Sequence, residues 1–262
     1  MRYALLLEYH GSAYIGWQRQ PHARSIQSTV ELALSQIADE PIEVVCAGRT
    51  DTGVHALGQV VHFDTNASRP IYNWVRGLNA LLPADIAIRA MSEVAADFHA
   101  RFDASHRHYQ YVILNQATRS TFWHERATFV HVPLEVAPMH EAAQWLLGVH
   151  DFNAFRSSEC QSHSSHRHVL AVNVQRKDAF VVIDITANAF LHHMVRNIAG
   201  SLIWVGQGKT SPEWLREVLE TRDRTQAGPT AAAEGLYFVN VAYPANKSPD
   251  FGFERNSAII SL

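Results

Sequence analysis

The chain has 262 residues, 47% of them hydrophobic and 18% charged, with a formal net charge of −3 when histidine is neutral. That composition excludes a disordered or collagen-like chain and fits a soluble globular protein with one large domain or two small ones. The mildly acidic balance argues against a uniformly basic nucleic-acid binder, although the 16 histidines can add positive charge where they cluster.

The apolar start Ala4-Leu5-Leu6-Leu7 is cut off by Glu8, too short for a membrane span or a secretory core, and reads as part of a strand over residues 3–9. The next loop carries Gly11, Tyr14, Gly16, Trp17 and Gln18. Two readings are open for it: a surface loop pinned by Trp17 in the core, or a contact for a base or phosphate. Val30, Leu32, Ala33, Leu34 and Ile37 have helical spacing, so a helix is expected over 25–38, with Ser28-Thr29-Val30-Glu31 as its capping box. Strands are expected over 42–45 and 59–63, then a helix over 70–81 and a strand over 86–91. The order β-α-β-β-α-β is that of ferredoxin-like and RNA-binding folds, an antiparallel sheet covered on one side by helices.

Between the strands at 42–45 and 59–63 lies Cys46-Ala47-Gly48-Arg49-Thr50-Asp51-Thr52-Gly53-Val54-His55-Ala56, a polar turn bracketed by glycines. Asp51 is at its tip, and Arg49, two positions away, falls on the same side of an extended backbone. A carboxylate beside a guanidinium stays ionised at neutral pH, which suits a nucleophile. The plainer reading is an ordinary turn in which Asp51 or Thr50 bonds its own backbone.

Residues 98–104 mark a crossing into a second half. A strand is expected over 109–114, with Tyr109, Tyr111 and Ile113 on one face, then a helix over 135–147 and a hairpin of strands 169–176 and 180–187. An apolar helix over 190–205 bears Arg196, a short helix covers 214–219, and a last strand over 235–241 contains Leu236. The fold class is α/β with two ferredoxin-like lobes whose mainly antiparallel sheets join around a central cleft. The N-terminal lobe, 1–104, carries the Asp51 loop; the C-terminal lobe, 105–245, completes the cleft; 246–262 is a tail. Arg101, Arg107, Arg119 and Arg126, then Arg156, Arg167, Arg176 and Lys177, form two basic stretches, a weak sign of an anionic partner. Cys46 and Cys160 show no Cys-x-x-Cys pattern, so neither a disulfide framework nor a thiolate zinc site is expected, and a reducing cytoplasm fits.

Several strings, in order, resemble blocks of the bacterial tRNA pseudouridine synthase A family. They are Gly16-Trp17-Gln18, the loop from Gly48 through Asp51 to Ala56, Arg107-His108-Tyr109-Gln110-Tyr111, Asp151-Phe152-Asn153-Ala154-Phe155, Phe190-Leu191-His192-His193-Met194-Val195-Arg196-Asn197, and Ala233-Glu234-Gly235-Leu236-Tyr237-Phe238. The resemblance implies a cofactor-free isomerisation of uridine to pseudouridine at positions 38, 39 and 40 of the tRNA anticodon stem-loop. In that reaction N1–C1′ breaks, the uracil turns, and C5 joins C1′ with loss of the C5 proton. Asp51 is then implied as the catalytic aspartate, Tyr109 as the residue stacking on the flipped base, and Arg196 as the partner of the carboxylate. Arg49 fills the gap left by the extruded base or holds a phosphate, and Leu236 lines the uracil pocket. A homodimer with one tRNA contacting both subunits is implied as well; from the residues themselves no membrane and no metal are expected.

One block departs from the family. Glu159-Cys160-Gln161-Ser162-His163-Ser164-Ser165-His166-Arg167 lacks the usual Gly before Cys and the Lys-Ser-Pro-like continuation, which bears on target range and salt dependence. Two rivals stand beside the family reading. A non-catalytic RNA-binding module leaves the acid unexplained, since a carboxylate repels phosphate. A metal-dependent hydrolase is suggested by His106/His108, His166/His168 and His192/His193, but no His-Glu-x-x-His string accompanies them.

Overall fold

A run of consecutive apolar residues is buried only where both faces of a strand are covered, and β1 (Arg2–Tyr9) is such a strand in the computed structural model, which describes residues 1–252. The expected tail lies outside the described residues beyond Gly252. Among the described residues the chain forms two compact units, one of Met1–Arg107 with residues 238–252, the other of His108–Tyr237.

In the first unit β1 is followed by α1 (Ile26–Ala38), β2 (Val45–Cys46), β3 (His55–Asp64), α2 (Ile71–Leu81) and β4 (Ile86–Val94). β1 pairs antiparallel with β3, Leu5 opposite Val61, and with β4, Leu5 opposite Met91, while β2 pairs with β3. The order β4-β1-β3-β2 is the ferredoxin-like arrangement read from the sequence. Trp74 of α2 is fully buried and meets the rings of Tyr3 and Phe63 with centroids 6.4 and 5.9 Å away.

Two details differ from expectation. The cap of α1 lies one turn earlier: the Ser25 side chain accepts from the Ser28 N–H at 3.2 Å, and Ser28 completes the box. Glu31 is buried instead, accepting the Val44 N–H at 3.1 Å and facing Arg19 at 3.3 Å. Residues 42–44 are therefore not a strand. Their N–H groups go to α1 side chains, Ile42 to Ser35 Oγ at 2.9 Å and Val44 to Glu31, which leaves β2 only two residues to pair.

The second unit contains β5 (His106–Asn115, from His108), β6 (Thr128–Val130), α3 (Val136–Gln144), β7 (Gly148–Asp151), β8 (His166–Lys177), β9 (Phe180–Ala187), α4 (Met194–Gly206) and α5 (Pro212–Thr221). Strand β10 (Leu236–Ala242) begins in this unit and passes into the first at Phe238. In the order β5-β9-β8-β7 the first three strands follow the β1-β3-β2 pattern and β7 is added at the edge, while β6 runs parallel to β5. β6 and β7 were not legible in the sequence, being three and four residues long without apolar alternation. Helix α3 is shorter than expected because the N–H groups of Trp145, Leu146 and Leu147 turn to carbonyls three residues back, tightening the last turn. Helix α4 starts at Met194, not Phe190, since His193 takes a left-handed conformation at φ 62°. Among the described residues no helix is long and apolar enough to cross a membrane.

Buried His62 on β3 accepts the Ala100 N–H through Nδ1 at 3.1 Å, a bond that requires an unprotonated nitrogen. Burial, aided by neighbouring positive charge, lowers its pKa from 6.5 to about 4. The unfolded chain therefore takes up this proton first as pH falls, and the contribution present above about pH 6.5 is lost toward pH 4. Urea unfolding from pH 7 to 4 is expected to show a shallower loss of stability in His62→Gln than in the parent; equal slopes would exclude His62 as the source.

Candidate active site

The loop from Ala47 to Ala56 leaves the short β2 and re-enters the sheet as β3, so both of its ends are fixed by strand pairing. Ala47 N–H donates to Val60 O at 2.8 Å, and the Gln59 side chain, fully buried, donates through Nε2 to Gly48 O at 2.6 Å. Arg107 Nη2 donates to Ala47 O at 3.0 Å. Thr50 is buried, its carbonyl accepting the Trp17 N–H at 2.9 Å and its hydroxyl sharing a hydrogen bond with Tyr9 OH at 2.8 Å. Burial keeps the Tyr9 phenol protonated well above its ordinary range.

Past Thr50 the chain reverses. Val54 N–H donates to Asp51 O at 3.1 Å, closing a four-residue turn with Gly53 at φ 79° in its third position. That is the type II geometry, which calls for glycine there. The 11–17 loop packs directly against this turn. Gly16, at φ 87°, leaves no room for a side chain: a Cβ there would lie 2.6 Å from Thr50 O and 2.9 Å from the Asp51 carbonyl carbon. Gly11 donates its N–H to His55 Nδ1 at 3.0 Å. Tyr14 and Trp17 are both core residues, so this loop is pinned as the first of its two readings had it.

Asp51 is thus the half-exposed first residue of a tight turn, flanked by buried Thr50 and exposed Thr52. Arg49 is on the same loop and exposed. The backbone under the carboxylate is immobilised, which is what positioning a reactive group requires.

In the second unit, Tyr109 is a buried residue of β5 whose ring meets Phe190 edge to face, centroids 4.8 Å apart at 73°. Arg196 lies in the first turn of α4, half-exposed, its Nε donating to Ala231 O at 2.8 Å while Ala231 N–H donates back to Arg196 O at 3.1 Å. Tyr111 OH donates to Ala232 O at 2.8 Å. The strap at 231–235 is thereby tied to α4 and β5, and it delivers buried Leu236 into β10. Gly235 permits the approach, since a Cβ there would meet Thr128 Oγ1 at 2.5 Å and Val112 O at 2.8 Å.

Several charged residues counted in the basic stretches hold the fold. Arg156 Nη2 donates to Cys160 O and Ser162 O at 2.5 and 2.9 Å, and Arg167 donates to Ser164 O and Ser162 Oγ, so the divergent 159–167 loop is organised by one arginine before it and one at its end. His163 is exposed. Of the paired histidines, His108 faces Asp184 at 3.0 Å and His166 lies opposite Asp151 in the β7–β8 pair. The sequence reading missed the positioning residues Tyr9, Thr50, Gln59 and Arg107. The signal available was Gln59, a polar side chain at the head of an apolar strand.

A family model described as tRNA pseudouridine synthase matches residues 6–103 and 142–244, well over half of the chain. The chain is 53% identical over 255 residues to a tRNA pseudouridine synthase A from Vibrio campbellii, covering 97% of this chain and 95% of that protein. It is 54% identical to one from Actinobacillus pleuropneumoniae, covering 93% of each. A third, from Cronobacter sakazakii, is 53% identical over 94% of this chain and 91% of its own.

Substituting Gly16→Ala forces an unfavourable φ and a collision with the Thr50 carbonyl, at a cost of about 1–3 kcal/mol. Hydrogen exchange is expected to show the Trp17 and Val54 amides losing protection in this variant while those of β9 keep theirs. Unchanged protection at Trp17 would contradict the clamp.

Proposed function

The chain belongs to the tRNA pseudouridine synthase family, and from that premise we propose that it isomerises uridine to pseudouridine at positions 38, 39 and 40 of the tRNA anticodon stem-loop, with Asp51 as the reactive carboxylate. The observation that carries the residue assignment is the half-exposed Asp51 on a turn whose preceding residues are locked, the Thr50 hydroxyl by Tyr9, the Thr50 carbonyl by Trp17 and the Gly48 carbonyl by Gln59.

A uridine in a stem must leave it to be reached, at a cost of roughly a few kcal/mol. Stacking on Tyr109 offsets part of that, about 1–3 kcal/mol per base. Asp51 attacks C1′ or assists departure and return of the base, and the C5 proton is released as C5 joins C1′. Arg196 serves as the cationic partner of the carboxylate, Leu236 as an apolar wall for the uracil, and Arg49 as the group that fills the vacated stack or holds a phosphate. No electrons or phosphoryl groups are transferred, so the chemistry calls for no cofactor. We assign the N-terminal lobe, 1–104, the catalytic loop and the C-terminal lobe, 105–245, the remaining contacts to the nucleotide. A cytoplasmic homodimer is the form proposed to act on tRNA. The non-catalytic RNA-binding reading is not favoured, given relatives named as synthases.

Asp51→Asn is expected to abolish tritium release from tRNA labelled at C5 of uridine while tRNA binding survives; retained turnover would remove Asp51 from the mechanism. Wild-type release is expected to persist in a chelator, and its disappearance would revive the metal-dependent reading. In cells lacking this gene, pseudouridine should vanish at positions 38–40 and remain elsewhere in tRNA; persistence at those positions would overturn the assigned targets.

A further inference from the structure

The turn following Phe98 has no part in the roles assigned above. Phe102 is 75% exposed, yet its ring is stacked on His99, centroids 4.3 Å apart and planes 28° from parallel. His99 is itself held. Its Nδ1 accepts the backbone N–H groups of Arg101 and Phe102 at 3.2 and 3.1 Å, its ring is 4.8 Å from His62, and its own N–H donates to Asp103 Oδ2 at 2.8 Å. The phenyl ring is therefore ordered without being buried. Single exposed apolar residues are ordinary, but one fixed by a stacked and hydrogen-bonded support has already lost the freedom that binding would otherwise take from it.

Its surroundings are cationic. The Arg101 guanidinium is 5.6 Å from the Phe102 ring centroid. Arg107 bonds Arg101 O at 2.6 Å, Ala104 O at 3.2 Å and Ala47 O at 3.0 Å, so one guanidinium ties this turn to the start of the Asp51 loop. Although burial pushes the Cys46 thiol up to about 12, Arg49, Arg101 and Arg107 all pull it the other way, which gathers three guanidinium charges around the end of β2. The acid of the turn is engaged from within: Asp103 accepts the His99 N–H and lies 3.7 Å from Lys247 Nζ, which also holds Asp97 at 2.6 Å. A partner offering only an apolar surface would strip water from these guanidinium groups with no return. A nucleotide offers a π face to the ring and a phosphate to the arginine together.

We propose that Phe102, stacked on His99 and flanked by Arg101, is a platform for an unpaired base of the substrate RNA, with Arg101 at the adjoining phosphate, as a nucleotide subsite separate from the uracil pocket. The subsite rests on tRNA being the substrate. It holds a base that is not isomerised and so acts on affinity and register.

Fluorescence anisotropy with labelled tRNA and the full chain tests this. Phe102→Ala is expected to raise Kd about tenfold, Phe102→Leu to do the same, and Phe102→Trp to bind as the parent does, with the thermal midpoint and sedimentation of all three unmoved. Parent-like affinity in Phe102→Ala or Phe102→Leu overturns the platform, as does a loss of affinity accompanied by altered sedimentation, which would mark a contact between copies. Tritium release by the unmodified chain separates the two readings. If it releases tritium while Phe102→Ala binds normally, only the platform falls; if it binds through Phe102 without releasing tritium, the platform stands and the isomerase reading falls.

Discussion

Thr50 is held from two directions at once, its carbonyl by the Trp17 N–H and its hydroxyl by Tyr9, and the residue after it is Asp51. Both contacts are buried, where a hydrogen bond is strong and its loss leaves an unsatisfied polar group. Tyr9 ends β1 and Trp17 belongs to the adjoining core loop, so Asp51 inherits its position from the centre of the first sheet. Gly16 and Gly11 are small because backbone must approach backbone there, and Gly53 is needed for the reversal. A loop with four glycines in or beside it is thereby rigid, the opposite of what glycine content alone suggests.

The second unit uses a similar device for a different segment. Residues 231–235 carry no long element, yet Ala231 and Ala232 are bonded to Arg196 and Tyr111, and Gly235 lies against Val112 and Thr128. The consequence is that Arg196 and Leu236, forty positions apart, are fixed through one strap. In the first unit the candidate side chain stands on irregular backbone made stiff by buried polar contacts, and in the second an irregular strap ties the helix and strand that carry the candidates.

Much of this was readable from residue order. The apolar runs at 3–9 and 59–63 and the helical spacing from Val30 to Ile37 give the first unit, and glycine-bracketed polarity marks the Asp51 loop. What could not be read were partners distant in sequence. Ile42 and Val44 have strand-like character, yet Ser35 and Glu31 capture their N–H groups. Ser25 outcompeted Ser28 as the cap because the chain is already extended at residue 25. Arg107, Arg156 and Arg167, read from the sequence only as parts of basic stretches, clamp carbonyl oxygens. Charge counting cannot separate those uses; only the acceptor can.

The central claim is that the buried Thr50 hydroxyl, through the Tyr9 bond, sets the position of the Asp51 carboxylate next to it, the group we propose to be reactive. Single-turnover tritium release with saturating enzyme measures this directly. The account predicts that Thr50→Val slows the step by about tenfold to a hundredfold with tRNA affinity retained, and that Thr50→Ser, which keeps the hydroxyl, restores most of the rate. A Thr50→Val enzyme reacting as fast as the parent would contradict it.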